Sequence, residues 1–234
     1  MYNICDIHSH ILPGMDDGCA TEAEALAVLQ KMQSQGISRV VATPHYYGRE
    51  TVSDFLSRRE DSLSRLRDHA GDAVLPEICC GAEVAWYANI AMDPDVDRLC
   101  IGNSRYLLLE LPFSQWSSQV LRDVDNLCLR GITPVLAHLE RYTQYQSKDM
   151  MRKLLRSDVL VQMNADTVLK GWQGIRARSA IKRGEIHLLG SDCHGLNHRA
   201  SRLAQAIALL EKKKYYGVLE EMEDLSNAIF QEAR

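Results

Sequence analysis

The sequence predicts an α/β fold: a parallel sheet of about seven strands, a number and order that suit closure into a barrel. Three observations carry that reading. Short apolar, β-like runs alternate with helical patterns from end to end. Glycine closes three of the helical patterns just before a strand. Most of the apolar runs are followed at once by His, Asp or Glu.

The first strand is expected over residues 2–7, running into Asp6-Ile7-His8-Ser9-His10. Thr21 and Glu24 have capping-box spacing and open a helix over 22–35, which Gly36 closes. A second strand at 38–43 leads to Thr43-Pro44-His45, followed by a helix over 53–69. The third strand, 74–80, precedes Gly81-Ala82-Glu83, and the fourth, 106–110, ends on Glu110. A helix over 118–130, closed by Gly131, precedes a fifth strand at 133–137 and His138. The sixth strand spans 159–163. A helix over 175–183, closed by Gly184, leads to the seventh at 186–189 and then Gly190-Ser191-Asp192-Cys193-His194. Beyond Arg199 the pattern is helical almost to Arg234, as two helices broken near Gly217. No linker, repeat or low-complexity stretch interrupts this order, so residues 1–234 are expected to form one domain.

With 46% hydrophobic residues in 234, the chain can bury a sizeable core. A formal net charge of −4 gives no basic field, which argues against nucleic-acid binding by bulk charge. An anionic substrate would need a local positive site. Seven cysteines, an odd number without framework spacing, point to a reduced, cytoplasmic setting. The first residues lack the basic and apolar regions of a signal peptide. No apolar stretch approaches spanning length, so direct membrane insertion is not expected.

Alternate strand residues share a face, so His8 and His10 are expected to point the same way and grip one ion. Barrels and open α/β sheets place chemistry at the C-terminal strand ends. The residues gathered there would be His8, His10, Asp17, His45, Glu83, Glu110, His138, Asp192 and His194. Mixed imidazole and carboxylate donors suit Mn, Fe or Zn better than Ca or Mg. Bridging carboxylates would let the nine hold two or three ions. Each residue alone has a plainer reading: a single His is usually a hydrogen-bonded structural residue, and Asp16-Asp17-Gly18 is usually a turn. The joint pattern is what points to a metal site. Tyr46, Tyr47, Trp86, Tyr87, Phe113, Trp116 and Tyr142 follow the ligand positions, either as walls for a ring-bearing substrate or as core and loop anchors.

These residues give the chain a resemblance to the polymerase-and-histidinol-phosphatase (PHP) superfamily. Within it the chain resembles the bacterial protein-tyrosine phosphatases encoded with capsule and exopolysaccharide systems. The likeness runs along essentially the whole chain. It rests on Asp6-Ile7-His8-Ser9-His10-Ile11-Leu12-Pro13-Gly14 with Asp16-Asp17-Gly18, on Ala42-Thr43-Pro44-His45, and on Gly81-Ala82-Glu83 and Glu110. It continues through Ala137-His138-Leu139-Glu140-Arg141-Tyr142 and Gly190-Ser191-Asp192 with His194. The resemblance implies a distorted (β/α)7 barrel and a trinuclear, usually manganese-dependent centre; the donor set by itself leaves two or three ions, and Fe2+ or Zn2+, as alternatives. It assigns all nine residues as ligands, and Arg141 and Arg199 as the phosphate-gripping arginines. The loop 194–199 matches the family in length but differs in its interior.

The implied reaction is metal-assisted hydrolysis of a phosphomonoester by a water whose pKa the metals lower. Asp17, His198 or a metal-held water are the candidates for general acid. The implied partner is a phosphotyrosine protein, the tail of a membrane-bound tyrosine autokinase that controls polysaccharide export. Other readings compete. Cys193 and Arg199 are spaced Cys-x5-Arg, as in cysteine-dependent tyrosine phosphatases. A small-molecule PHP phosphatase, such as a histidinol-phosphatase, would carry the same ligands. A non-catalytic module would bind a phosphorylated tail without hydrolysing it. Lys212-Lys213-Lys214-Tyr215-Tyr216 reads as a docking patch or, more simply, as a solvated helix end.

Overall fold

The computed structural model describes residues 2–234. All its strand pairs are parallel. The strands are β1 (Asp6–Ser9), β2 (Arg39–Ala42), β3 (His45–Tyr46), β4 (Glu77–Cys80), β5 (Glu83–Ala85), β6 (Tyr106–Glu110), β7 (Thr133–Leu136), β8 (Leu160–Asn164) and β9 (Leu188–Gly190). The helices are α1 (Glu22–Ser34), α2 (Val52–Ala70), α3 (Ser118–Leu129), α4 (Lys148–Leu154), α5 (Ala165–Leu169), α6 (Gly171–Lys182), α7 (Leu203–Lys212) and α8 (Tyr216–Glu232).

All seven expected strands are present, and two short strands lie just beyond the expected ends. β3 continues from β2 after a break at Thr43-Pro44, and β5 continues from β4 after a break at Gly81-Ala82. The strand order is therefore β1-β2-β4 in one sheet and β3-β5-β6-β7-β8-β9 in the other. Backbone bonds across the split, Gly81 N–H to Ala42 O at 2.8 Å and Glu83 N–H to Pro44 O at 3.0 Å, carry one sheet into the next. At the other side, His10 N–H reaches Cys193 O and Asp192 N–H reaches His8 O, each at 2.8 Å. The curled parallel sheet is thus drawn together between β1 and β9, the distorted α/β barrel that the sequence predicts.

Boundaries shift for identifiable reasons. β1 starts at Asp6 rather than at residue 2, because the N–H groups of Asn3 and Cys5 go to Glu223 and Ser226 of α8 instead of a neighbouring strand. β4 starts at Glu77, just after Pro76, which has no N–H for a ladder. Thr21 caps α1 by accepting from Glu24 N–H at 3.2 Å. Gly36, Gly131 and Gly184 sit at φ 87°, 73° and 72°, the left-handed helix endings expected of them. The last two helices break at residues 213–215, leaving Gly217 inside α8. α4 and α5 were not legible as helices.

Two apolar clusters form. The larger lies between the sheet and the surrounding helices. The smaller lines the barrel interior: Cys5, Ile7, Val41, Leu108, Val135, Ala137 and Leu188, met by Ile229 and Phe230 of α8 and by Ala233. Each fully buried Ile or Phe contributes roughly 1.5–3 kcal/mol, so α8 is a firm stopper at the N-terminal end of the strands. The C-terminal mouth is left for polar groups.

β1 also carries an irregularity. Asp6 pairs with Val40 and Ser9 with Ala42, three residues against two. Such a bulge re-aims side chains. Ile7 packs in the interior cluster, and yet its neighbour His8 and then His10 also face inward. The seven cysteines are all free. Among the described residues no helix is long and apolar enough to cross a membrane.

Candidate metal centre

The strands deliver their terminal residues to one mouth. Interior positions alternate upward from the apolar cluster: Cys79, Gly81 and Glu83 on β4 and β5, Leu108 and Glu110 on β6, Leu188, Gly190 and Asp192 from β9. All nine predicted residues come together there. Glu83, fully buried, stands at the centre. Its Oε2 lies 3.3 Å from His8 Nε2, 3.2 Å from His10 Nε2 and 3.1 Å from His45 Nδ1. Its Oε1 lies 2.8 Å from His138 Nε2, which is also 3.3 Å from Glu110 Oε1. Asp192 Oδ1 faces His8 and His10 at 3.6 and 3.5 Å. At the outer lip, Asp17 Oδ1 is 3.3 Å from His194 Nε2 and 3.5 Å from His45 Nε2.

The donor set has the chemistry of a divalent-cation site. His8 Nδ1 faces Gln162 Oε1 at 3.2 Å and His10 Nδ1 faces Asp16 Oδ2 at 2.7 Å. With a proton on each Nδ1, both Nε2 atoms carry lone pairs, and they lie only 3.3 Å apart. Glu83 Oε2 is buried beside them without a hydrogen-bond partner, and Asp192 Oδ1, also without a hydrogen bond, has the Arg199 guanidinium as its one ion-pair partner apart from histidines. Lone pairs so crowded need a cation, or protons, between them. Three overlapping groups could each hold an ion: His10, Asp17, His45 and His194; His8, His10 and Glu83; His45, Glu83 and Glu110. Imidazoles held through their other nitrogen are the usual way proteins present metal ligands.

The electrostatics match. Burial opposes charge on His10, but Asp16 and Glu83 outweigh it and raise its pKa to about 10. His138 is likewise buried, and Glu110 and Glu83 raise it to about 9. His194 is pushed down to about 4 by burial and by the nearby His10 and Arg199. Burial raises Glu83, but the surrounding histidines overcome this and hold it well below the usual carboxylate range.

Three backbone positions are strained to serve the site. His138 and Asp192 adopt φ 35° and 51°, and Arg199 adopts 48°. Such left-handed conformations cost about 1–2 kcal/mol each for non-glycine residues and collect at functional sites. Both predicted arginines reach the cluster. Arg141 Nη2 donates to Asp192 Oδ2 at 2.9 Å, and Arg199 Nη2 forms an ion pair with Asp192 Oδ1 at 2.5 Å.

Residues 4–228 match the capsular polysaccharide synthesis family CpsB/CapC. The chain belongs to the CpsB/CapC family. It is 29% identical over 220 residues to the tyrosine-protein phosphatase CpsB of Streptococcus pneumoniae, covering 89% of this chain and 90% of that protein. To the tyrosine-protein phosphatase YwqE of Bacillus subtilis it is 28% identical over 221 residues, covering 89% and 84%. A crystal structure from the work on YwqE and CpsB as metal-dependent tyrosine phosphatases superposes with a TM-score of 0.82 at 22% identity, covering 99% of this chain and 96% of the other. The two share a fold.

In this CpsB/CapC chain the cysteine-dependent alternative fails. Cys193 is fully buried and burial pushes its thiol up to about 11, so no thiolate is presented. Its Sγ donates to Gly195 O, and Arg199 turns instead to Asp192 and His194. Of the seven aromatics, Tyr46, Trp116 and Tyr142 are buried, while Trp86 and Tyr87 are tied to Asp123 and Asp93. Tyr47 and Phe113 remain exposed, stacked on His45 and His138 with centroids 5.1 and 5.7 Å away. His198 is exposed on the loop of Arg199, and among the described residues it bonds none of the nine.

Sequence reasoning missed the groups that hold the ligands. Asp16 read as a turn residue, yet its Oδ2 accepts from His10 and from His45 N–H at 2.9 Å. Buried Asp6 joins β1 to β9 by accepting from Ser191 N–H at 2.9 Å. Gln162 and Asn164 of β8 reach His8, His138 and Asp192. The one sequence signal for this pair was two amides alternating with apolar residues in Leu160-Val161-Gln162-Met163-Asn164.

Proposed function

We propose that this protein is a metal-dependent protein-tyrosine phosphatase that hydrolyses phosphotyrosine in protein substrates. The observation that carries the reading is the meeting of five imidazoles and four carboxylates at one barrel mouth, with Arg141 and Arg199 converging on Asp192. His8, His10, Asp17, His45, Glu83, Glu110, His138, Asp192 and His194 would hold two or three divalent ions, Mn2+ foremost, with Fe2+ or Zn2+ as alternatives. When bound, such ions supply Lewis acidity and lower the pKa of the attacking water.

The chain's own residues would do the rest. Arg141 and Arg199 are partly exposed at the rim and would turn their forked N–H groups onto the phosphate oxygens. Tyr47 and Phe113 would flank the aryl ring. Burial and the nearby Glu110 push the Tyr47 phenol up to about 12, so it adds no negative charge beside the phosphate dianion. Asp17, the carboxylate at the outer lip, stands where a proton could pass to the departing phenolate. The exposed rings favour an aryl ester over histidinol phosphate. The relatives' role in capsular polysaccharide synthesis supports, as substrate, the tyrosine-bearing tail of a membrane-bound autokinase acting from the cytoplasmic side.

The test is hydrolysis of a phosphotyrosine peptide and of histidinol phosphate after chelation, then with Mn2+, Fe2+, Zn2+ or Mg2+ restored. Loss on chelation and recovery with Mn2+, greater for the peptide, is expected. Activity that survives chelation undiminished rejects the metal reading.

A further inference from the structure

Among the described residues, β8 is the only stave of the barrel whose end carries no predicted metal ligand, and yet its interior face is polar. Gln162 is fully buried and Asn164 nearly so. A buried amide must satisfy both its ends, and these two do so in one direction only.

The direction starts from a group that cannot reverse. The backbone N–H of His138 donates to Gln162 at 2.7 Å. A backbone N–H is always a donor, so the atom it meets is the Gln162 oxygen, and a flipped amide would set donor against donor. Gln162 Nε2 then donates to Asn164 Oδ1 at 3.0 Å. That leaves Asn164 Nδ2 to donate to Asp192 Oδ2 at 2.7 Å. Asn164 is itself fixed by its N–H to Glu140 Oε1 at 3.1 Å.

Two consequences reach the metal centre. Gln162 Oε1 also faces His8 Nδ1 at 3.2 Å, and an oxygen there can only be answered by N–H. His8 is thereby held as the Nδ1–H tautomer, its Nε2 lone pair turned toward His10 and Glu83. At the other end, Asn164 from within and Arg141 from the rim share Oδ2 of Asp192, which leaves Oδ1, met by Arg199, aimed at the same point. Gly190 makes room for this: a Cβ there would fall 2.7 Å from His8 Cβ and 2.8 Å from Gln162 Nε2.

We propose that Gln162 and Asn164 are positioning residues, an amide relay that sets the His8 tautomer and the aim of Asp192 from the strained His138 backbone. The inference rests on reading the mouth as a metal centre. Outer groups of this kind are worth about 10–100-fold in metal affinity.

The experiment has two arms on the full chain. In the first, 15N NMR of histidine rings in metal-free protein, at a pH where His8 is neutral, is expected to show His8 with its proton on Nδ1. Gln162→Glu, which can still accept from His138 and His8, should keep that tautomer, and Gln162→Leu should lose it. In the second, Mn2+ affinity is measured by chelator competition. Gln162→Leu and Asn164→Asp should each bind about 10–100-fold more weakly. A wild-type His8 protonated on Nε2 overturns the relay, as do variants with unchanged Mn2+ affinity. Wild-type protein that takes up no divalent ion sinks the metal reading instead, and the tautomer arm then decides the relay alone, whether or not Gln162→Leu folds.

Discussion

Arg199 Nη2 lies 2.5 Å from Asp192 Oδ1, the oxygen that also faces His8 and His10. Arg141 takes the other oxygen of the same carboxylate at 2.9 Å. Two guanidinium groups on one buried carboxylate leave a positive excess at the rim, where a phosphate would arrive. Arg141→Ala and Arg199→Ala are each expected to lower kcat/KM for a phosphotyrosine peptide by about 10²–10³-fold and to weaken inhibition by inorganic phosphate. Arg→Lys should recover only part, because the point charge lacks the fork. Steady-state kinetics decide it, and an unchanged kcat/KM would show that these arginines serve Asp192 alone.

Cys193→Ser is expected to retain most of the activity, with a lowered melting temperature because a buried thiol becomes a hydroxyl. Activity reduced to background in a folded Cys193→Ser protein would restore the thiolate mechanism.

The raised histidines predict a pH dependence of stability. His10 at about 10 and His138 at about 9 lie above the ordinary imidazole value near 6.5. Their protonated pairs therefore stabilise the metal-free fold fully below about pH 6.5, and that stability drains away as pH climbs through 9 and 10. Divalent ions need those imidazoles neutral, so their stabilising effect should grow over the same span. Melting curves from pH 6 to 10, with chelator and with Mn2+, are expected to diverge as pH rises. Parallel curves would contradict the assignment of these two histidines.

Tyr47→Ala and Phe113→Ala test the rim. Aromatic contacts are worth about 0.5–1.5 kcal/mol each, so KM for a phosphotyrosine peptide should rise roughly 2- to 10-fold per variant. Hydrolysis of an alkyl phosphomonoester should be little affected. Equal effects on both substrates would place the two rings in the scaffold rather than in recognition.

Asp16→Asn removes the charge that orients His10 while leaving its shape. Metal affinity is expected to fall about 10–100-fold, measured by chelator competition, with the fold retained.

Most of the nine residues at the mouth were legible because they close or follow an apolar run, and such runs are read well from sequence; Asp17, in the turn beyond the first strand, is the exception. Glu110 after Leu107-Leu108-Leu109 is the plainest case. The groups that hold those ligands were not legible, since nothing in Gln162 or Asn164 tells which side of β8 faces inward. Asp16 was hidden by the turn it also makes, with Gly18 N–H on its Oδ1 at 2.9 Å. The breaks in the second and third strands were likewise invisible, because a Pro or Gly at a strand end reads simply as its end.

The β1 bulge lets two consecutive residues serve the interior. Ile7 joins the apolar cluster and His8 still stands at the mouth because the strand carries one residue more than its neighbour between paired positions. A chain shortened by Ile7 alone would return to plain alternation, with His8 opposite Val41 and both imidazoles still inward. What it would lose is the apolar side chain directly beneath them, so the harm of that deletion would fall on the floor of the centre rather than on the direction of its ligands.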